Sequence, residues 1–393
     1  MSNNSLRKKT WSEICVEKDV GILLKNIDLI HEQSAVELPS KKEVKLRMKN
    51  LRLHSSGVFS NVYRGTLLSP GPRKEIALKK TWPDFEGDSQ VNTELNILLG
   101  LSCRWHKNII RVLYTFRSIT PDNKIFLLYP SFLNYICETM IFEYLPKTMS
   151  NIVKQIGGKY PDYIDIKLYS WQLFNGLSFL SNNHICHRDI KPQNLLIEPI
   201  SGVLKIADFG SAKFMRRMTK STSYQVTRYY RPPELLLKAT YYSPQVDVWS
   251  GGCVLGEITK GSILFPGKNA KDQFKLVMDA LGSPDETDLM DMKAAISIAG
   301  ARIAPRGLRS ILPYASEEII NILQRILVYS PEKRLCGKVF LSDPFFQELF
   351  VPNKRRTNGT FVSNIITLDD LQKLPYVFLI SNFAKKLIAA IFC

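Results

Sequence analysis

The chain has 393 residues, 45% hydrophobic and 23% charged, enough for one large two-lobed domain with tails or two ordinary domains, each with a real core. A net charge of +17 draws polyanions (nucleic acid, acidic membrane, or acidic or phosphorylated protein) without choosing among them. The seven cysteines are odd in number and form no CxxC pair, which excludes a disulfide framework or a zinc ribbon and points to a reducing compartment.

The N-terminus, MSNNSLRKKTW, lacks an apolar signal core, and no run of about 18 uncharged apolar residues appears anywhere. Residues 1–47 read as a loosely packed extension with a basic run (Lys41, Lys42, Lys45, Arg47). From 48 the pattern turns to strands: LRLHSSGVFSNVYRGTLL alternates like a hairpin, and KEIALKK is a strand ending in lysines. DSQVNTELNILLGL carries Val91, Leu95 and Leu98 at helical spacing, with Asp88 as candidate N-cap. After about residue 145 helices dominate, among them IDIKLYSWQLFNGLSFLSNN, DVWSGGCVLGEITKG and SEEIINILQRILVY. HRDIKPQNLLI (187–197) falls between the long helix and a short hairpin that ends in DFG. The segment PYVFLISNFAKKLIAAIFC (375–393) is expected to dock as a helix or strand, the alternative being a membrane-surface helix.

A lone HRD is more often a turn of solvated charges than a site, and a lone DFG says less. Here HRDxKxxN (187–194), DFG (208–210), a strand lysine (Lys79), a helix glutamate (Glu94) and RPPE (231–234) occur together and in order. A glutamate among apolar helix positions is otherwise hard to justify. Over residues 48–350 the chain resembles a eukaryotic protein kinase. The resemblance implies an α+β bilobal fold: an N-lobe antiparallel β-sheet plus one helix over about 48–142, a mainly helical C-lobe over about 143–350, and a C-terminal tail at 351–393.

It also implies ATP and Mg2+ held in a crevice between the lobes, with protein substrates, acidic or phosphorylated ones included. Asp189 would take the substrate hydroxyl's proton, and Lys191 would offset charge on the moving phosphoryl group. Asn194 and Asp208 would be the magnesium ligands, hard oxygen donors for a hard cation. Lys79, paired with Glu94, would hold the α- and β-phosphates. Ser55, Gly57, Ser60 and Val62 would cover the phosphates. Ala77, Phe142 as gatekeeper, Glu143, Tyr144, Leu145, Gln193 and Leu196 would frame the nucleotide. His187 would pack under Phe209, Asp247 would hold the catalytic loop, and Glu234 would pair with Arg334.

RYYRPPELLL, IFEYLPKT and DFGSAK are most similar to the glycogen synthase kinase-3 versions of these motifs, which implies a serine/threonine kinase. Tyr224 stands at that family's activation-loop tyrosine. Arg188 and Lys213 stand at two of the three positions where the family carries phosphate-reading cations; Thr93 stands at the third. The glycine-rich loop reads Ser55-Ser56-Gly57-Val58-Phe59-Ser60-Asn61-Val62, keeping Gly57 and Val62 of the pattern. Weaker ATP affinity is therefore expected, and a catalytically weak, pseudokinase-like scaffold is the alternative. Family scaffold partners stay open, because 283–313 departs from the family docking loop; separately, the insertion near 118–138 is longer and more apolar than the family's. The cysteine usage leads to an expected location in the cytoplasm or nucleus; no RRM, KH or zinc-finger spacing points to a specific nucleic-acid ligand, and docking of the tail is expected in preference to membrane contact.

Overall fold

A computed structural model describes residues 30–57, 60–81, 92–119, 136–155, 162–215, 219–221, 227–298, 300–372 and 374. Two units divide the chain: Met1–Trp105 with Ile110–Tyr144, and His106–Ile109 with Leu145–Cys393.

Period-2 alternation builds the first unit. Its strands are β1 (His31–Glu37), β2 (Glu43–Ser56), β3 (Ser60–Ser69), β4 (Lys74–Thr81), β5 (Val112–Ile119) and β6 (Ile136–Glu143). They close into an antiparallel barrel in the order β1-β2-β3-β4-β6-β5. Inward residues of alternate register, among them Leu46, Met48, Tyr63, Leu67, Ile76, Leu78, Tyr114 and Ile141, fill it. Each such side chain contributes about 1.5–3 kcal/mol by leaving water. Gly65 is required where β3 passes the irregular middle of β2, since a Cβ there would lie 2.5 Å from Leu51 Cδ2.

The segment 31–46, expected to be loosely packed, is instead integral to this barrel. β1 pairs with β2 along His31–Val36 and with β5 at Val36 and Glu37. Its sequence, HEQSAVE, buries only Ala35 fully, so the alternation that betrays a strand is nearly absent.

Helix α1 (Thr93–Ser102) starts later than Asp88 would place it: Asn92 is the N-cap, its side chain accepting from Leu95 N at 3.0 Å. Its buried face is Glu94, Ile97, Leu98 and Leu101. Asp88 and Val91, and residues 120–135 of the apolar insertion, lie outside the described residues.

The second unit holds β7 (Lys147–Thr148), α2 (Met149–Gln155), α3 (Tyr163–Asn182), β8 (Ile185–Cys186), β9 (Leu195–Glu198), β10 (Val203–Ile206), β11 (Lys213–Phe214) and β12 (Thr219–Lys220). There follow α4 (Pro233–Leu236), β13 (Tyr241–Tyr242), α5 (Gln245–Lys260), α6 (Ala270–Leu281), α7 (Glu286–Asp291), α8 (Glu317–Ile326), α9 (Gly337–Leu341) and α10 (Leu368–Gln372). Helix α5 is buried all round from Val246 to Thr259. The pair Gly251-Gly252 permits this: a Cβ on Gly251 would meet Phe174 and Leu177 of α3 at 3.1 Å, and one on Gly252 would meet Ile326 of α8 at 2.7 Å.

Residues 351–372, expected to be a tail, are folded onto this unit. Arg356 is 5% exposed. It binds Asp165 with two nitrogens (2.6 and 3.0 Å) and donates to the carbonyls of Pro199 and Ile200. Lys107 donates to Ile365 O at 2.7 Å, pairs with Asp370 and lies over the Trp171 ring. Residues 375–393 are outside the described residues, as is the docking or membrane role expected of them. Among the described residues no helix is long and apolar enough to cross a membrane, and the five described cysteines are free thiols.

Candidate active site

In the first unit the sheet register sorts the expected nucleotide residues. Ser55 lies opposite Val62, Val62 opposite Lys79, and Lys79 opposite Met140. Arg64, Ala77 and Phe142 form the next row but one, so Val62, Ala77, Lys79 and Phe142 share the face turned away from the barrel core. On that face Lys79 Nζ donates to both oxygens of Glu94, at 2.8 and 2.7 Å. The two side chains are 13% and 6% exposed, so α1 does bury its glutamate, and against a cation.

Gly57 N donates to Ser60 O at 2.8 Å, closing the hairpin between β2 and β3. Ser55 and Ser56 pair with Val62 and Asn61 just past the register shift between Leu53 and Ser55, and neither has the left-handed backbone that would call for glycine. Glu143 is fixed by its Oε1 accepting from Arg111 N at 2.9 Å, and Tyr144 by the Arg64 guanidinium 4.4 Å over its ring.

In the second unit the loop from His187 to Asn194 is tied at several points. The fully buried His187 donates from Nε2 to Ala207 O (3.1 Å) and accepts at Nδ1 from Asp189 N (3.3 Å), which fixes its proton on Nε2. Its ring meets Phe209 edge-on at 4.9 Å. Asp247 receives His187 N at 2.6 Å and Arg188 N at 2.8 Å. Burial raises the Asp247 carboxyl above its ordinary range, against the pull of these bonds, and raises the adjacent Cys186 thiol well above its own.

Asp189 stands at the centre. Its Oδ2 accepts from Lys191 Nζ at 2.6 Å and from Asn194 Nδ2 at 2.9 Å; its Oδ1 accepts from Thr227 Oγ1 at 2.6 Å. Asn194 Nδ2 also donates to Asp189 O at 2.8 Å. Both acceptors call for the amide nitrogen, so the Asn194 oxygen is the end left for a cation. Ala207 N donates to Asn194 O at 2.9 Å, bringing the DFG strand against the loop. Asp208 is exposed and holds a left-handed backbone (φ 64°), uncommon outside glycine and often found at functional sites.

Among the described residues no cluster of three or more His, Cys, Asp and Glu gathers as a metal site. The oxygens of Asn194 and Asp208 suit magnesium, which takes one or two protein ligands and completes its shell with substrate phosphates and water.

Leu196 is half-buried on β9 opposite Lys205, Leu145 is half-buried, and Gln193 is exposed in a 3-10 turn. Arg188 and Lys213 both reach Ser221, while Tyr224 lies outside the described residues. Thr227 was missed by sequence reasoning; its one signal is a hydroxyl residue immediately before RYYRPPE. Tyr230, in that motif, donates to the buried Glu257 at 2.7 Å. Glu234 and Arg334 pair as expected, through two bonds of 2.7 Å, at 1% and 0% exposure.

The family description "Protein kinase domain" matches residues 51–346. The chain is also similar to the Caenorhabditis elegans protein named "Putative serine/threonine-protein kinase gskl-1", 34% identical over 334 residues that cover 84% of this chain and 87% of the relative. With the paired Lys79 and Glu94, the Asp189 loop and the DFG aspartate already in place, these matches show that the chain belongs to the protein kinase family.

Proposed function

We propose that the protein transfers the γ-phosphoryl group of ATP to serine or threonine side chains of protein substrates, in the manner of the glycogen synthase kinase-3 relatives it resembles. One observation carries this reading: the Asp189 carboxylate is held by Lys191, Asn194 and the Thr227 hydroxyl, all within 3.0 Å. Such a carboxylate orients an incoming hydroxyl and accepts its proton. The Lys191 ammonium lies beside it, where negative charge builds on the phosphoryl oxygens. Lys79, steered by Glu94, holds the nucleotide phosphates. Asn194 and Asp208 would hold magnesium, which when bound neutralises charge on the phosphate oxygens. Neutral Thr93 at the start of α1 supports use of substrates that carry no phosphate beforehand.

The test is transfer from labelled ATP to a panel of serine and threonine peptides, with Asp208→Asn as control. Equal labelling by both proteins would reject the reading. Thermal shift with Mg-ATP separates an inactive scaffold from a misfolded sample, because a ligand bound only by the folded state raises its melting point.

A further inference from the structure

Basic residues crowd one face of the first unit. Residues 30–81 carry eleven lysines and arginines against four glutamates and no aspartate. On β2 the buried Leu46 and Met48 alternate with Lys45, Arg47 and Lys49, so these three project outward. Past the register shift between Lys49 and Arg52, the exposed Arg52 lies opposite the exposed Arg64 of β3. The turn into β2 adds Lys41 and Lys42, both exposed. Ser69 lies opposite Arg47, so the β3–β4 turn, with exposed Arg73, leaves β3 beside the same stretch of β2.

Few of these charges are answered. Glu32, opposite Arg47 on β1, is 2.6 Å from Lys45 and 3.5 Å from Arg47. Glu75 takes Arg64 at 2.8 Å. Among the described residues no carboxylate pairs with Lys41, Lys42, Lys49, Arg52 or Arg73.

The geometry selects among polyanions. Alternate residues of a strand stand about 6.8 Å apart and neighbouring strands about 4.8 Å, so the cations form a two-dimensional array rather than a line. Strands β2 and β3 are each bonded on both sides, which leaves an extended acidic peptide no ladder to join on this face. Single-stranded nucleic acid is held by aromatic platforms beside the cations, and residues 31–57 and 60–81 expose no large apolar side chain. For the same reason nothing here inserts into hydrocarbon, and a charged lipid surface is what remains.

We infer that this face docks the protein on membranes rich in anionic lipid, chiefly through Lys41, Lys42, Lys49, Arg52 and Arg73. Clusters of about four to eight basic residues suit acidic headgroups, each residue near the surface adding about fivefold to affinity. Held by charge alone, the docking is reversible and screened by salt. It confines the proposed transfer to substrates at the membrane, while the docking itself does not depend on that reading.

The experiment sediments the full chain with phosphatidylcholine vesicles, plain or carrying about 30% phosphatidylserine, at about 0.1 M salt. The protein is expected to sediment with the anionic vesicles only, and to be released at about 1 M salt, where the Debye length falls to about 3 Å. The combined variant Lys42→Gln, Lys49→Gln, Arg52→Gln and Arg73→Gln is expected to bind about 10²–10³-fold more weakly with an unchanged melting point. A control removes the same charge from exposed positions of the second unit, by Lys268→Gln, Lys271→Gln, Lys275→Gln and Lys338→Gln, and is expected to bind like wild type. No preference of the wild-type chain for anionic vesicles overturns the proposal. So does an equal loss in the control, which assigns binding to the net charge of the whole chain. Tighter binding to a single-stranded RNA oligonucleotide than to the vesicles at the same salt, lost in the first variant, assigns the face to nucleic acid and overturns it as well. Sedimentation needs no turnover, and the first variant is expected to label soluble peptides as wild type does, so failure of the docking and failure of the kinase reading are told apart.

Discussion

The Thr227 hydroxyl donates to Asp189 Oδ1 at 2.6 Å across 38 residues of chain, and Lys191 Nζ reaches both residues, at 2.6 Å to the carboxylate and 3.4 Å to the hydroxyl. This bond sets the direction of the carboxylate. Thr227→Val is expected to lower kcat by about 10²-fold, the effect of roughly 1 Å of misplacement, with KM for ATP unchanged. Thr227→Ser is expected to recover most of the loss. Asp189→Asn is expected to cost about 10²–10⁴-fold while Mg-ATP still raises the melting point. Steady-state kinetics checks this; a change confined to KM for ATP would assign Thr227 to binding instead.

The pair of Lys79 and Glu94 governs nucleotide affinity on the proposed function. Glu94→Gln keeps the shape and removes the charge that steers Lys79. KM for ATP is expected to rise about tenfold, the equivalent of one charge-assisted hydrogen bond of about 1.5 kcal/mol. Nucleotide titration by isothermal calorimetry reads the same change without turnover.

Arg334 uses all five of its N–H donors: two bind Glu234, and the others bind the carbonyls of Val328, Gln245 and Tyr329. Removing one partner strands a charge with no exposure to water. Glu234→Gln is expected to lower unfolding free energy by about 3–5 kcal/mol in denaturant titration. The double change Glu234→Gln with Arg334→Met is expected to cost less than the two single changes added together.

Glu257 supplies a pH test. Burial raises its carboxyl above the ordinary glutamate value, opposed by the hydrogen bond from Tyr230. The folded protein therefore binds this proton more tightly than the unfolded chain does. The group's contribution to stability is fully present below the unfolded pKa and falls as pH rises through the folded one. Glu257→Gln keeps an acceptor for Tyr230 and removes the titration. Its melting point, relative to wild type, is expected to climb as pH rises from the ordinary glutamate value, and a constant difference would refute the assignment.

The Asp189 loop and the DFG aspartate were legible in the sequence because each sits in a short motif whose members stay close in space. The pairing of Lys79 with Glu94, 15 residues apart, was legible because a charged residue on an apolar helix face needs a partner. The pairing of Glu234 with Arg334, 100 residues apart, rested on the family resemblance, and the geometry agrees. Thr227 was not legible: a single threonine in a loop carries no periodicity, and its role exists only once the chain brings it to Asp189. The start of α1 was misplaced because Asp88 and Asn92 are both good caps, and only the backbone selects Asn92. The structured segment from Tyr169's partner Arg356 to Asp370 was missed because its anchors are single polar residues in irregular chain.

Strand β1 has a consequence for how partners can approach the first unit. An open sheet presents a row of unpaired backbone amides and carbonyls that an extended peptide can extend by one more strand. With β1 bonded on one side to β2 and on the other to β5, the ring of strands is complete. That closure rests on two residue pairs, Val36 with Thr115 and Glu37 with Tyr114, so it shortens the open ladder of each strand. Addition of an extended strand, and with it edge-to-edge stacking of copies, is opposed along the stretch where β1 and β5 pair.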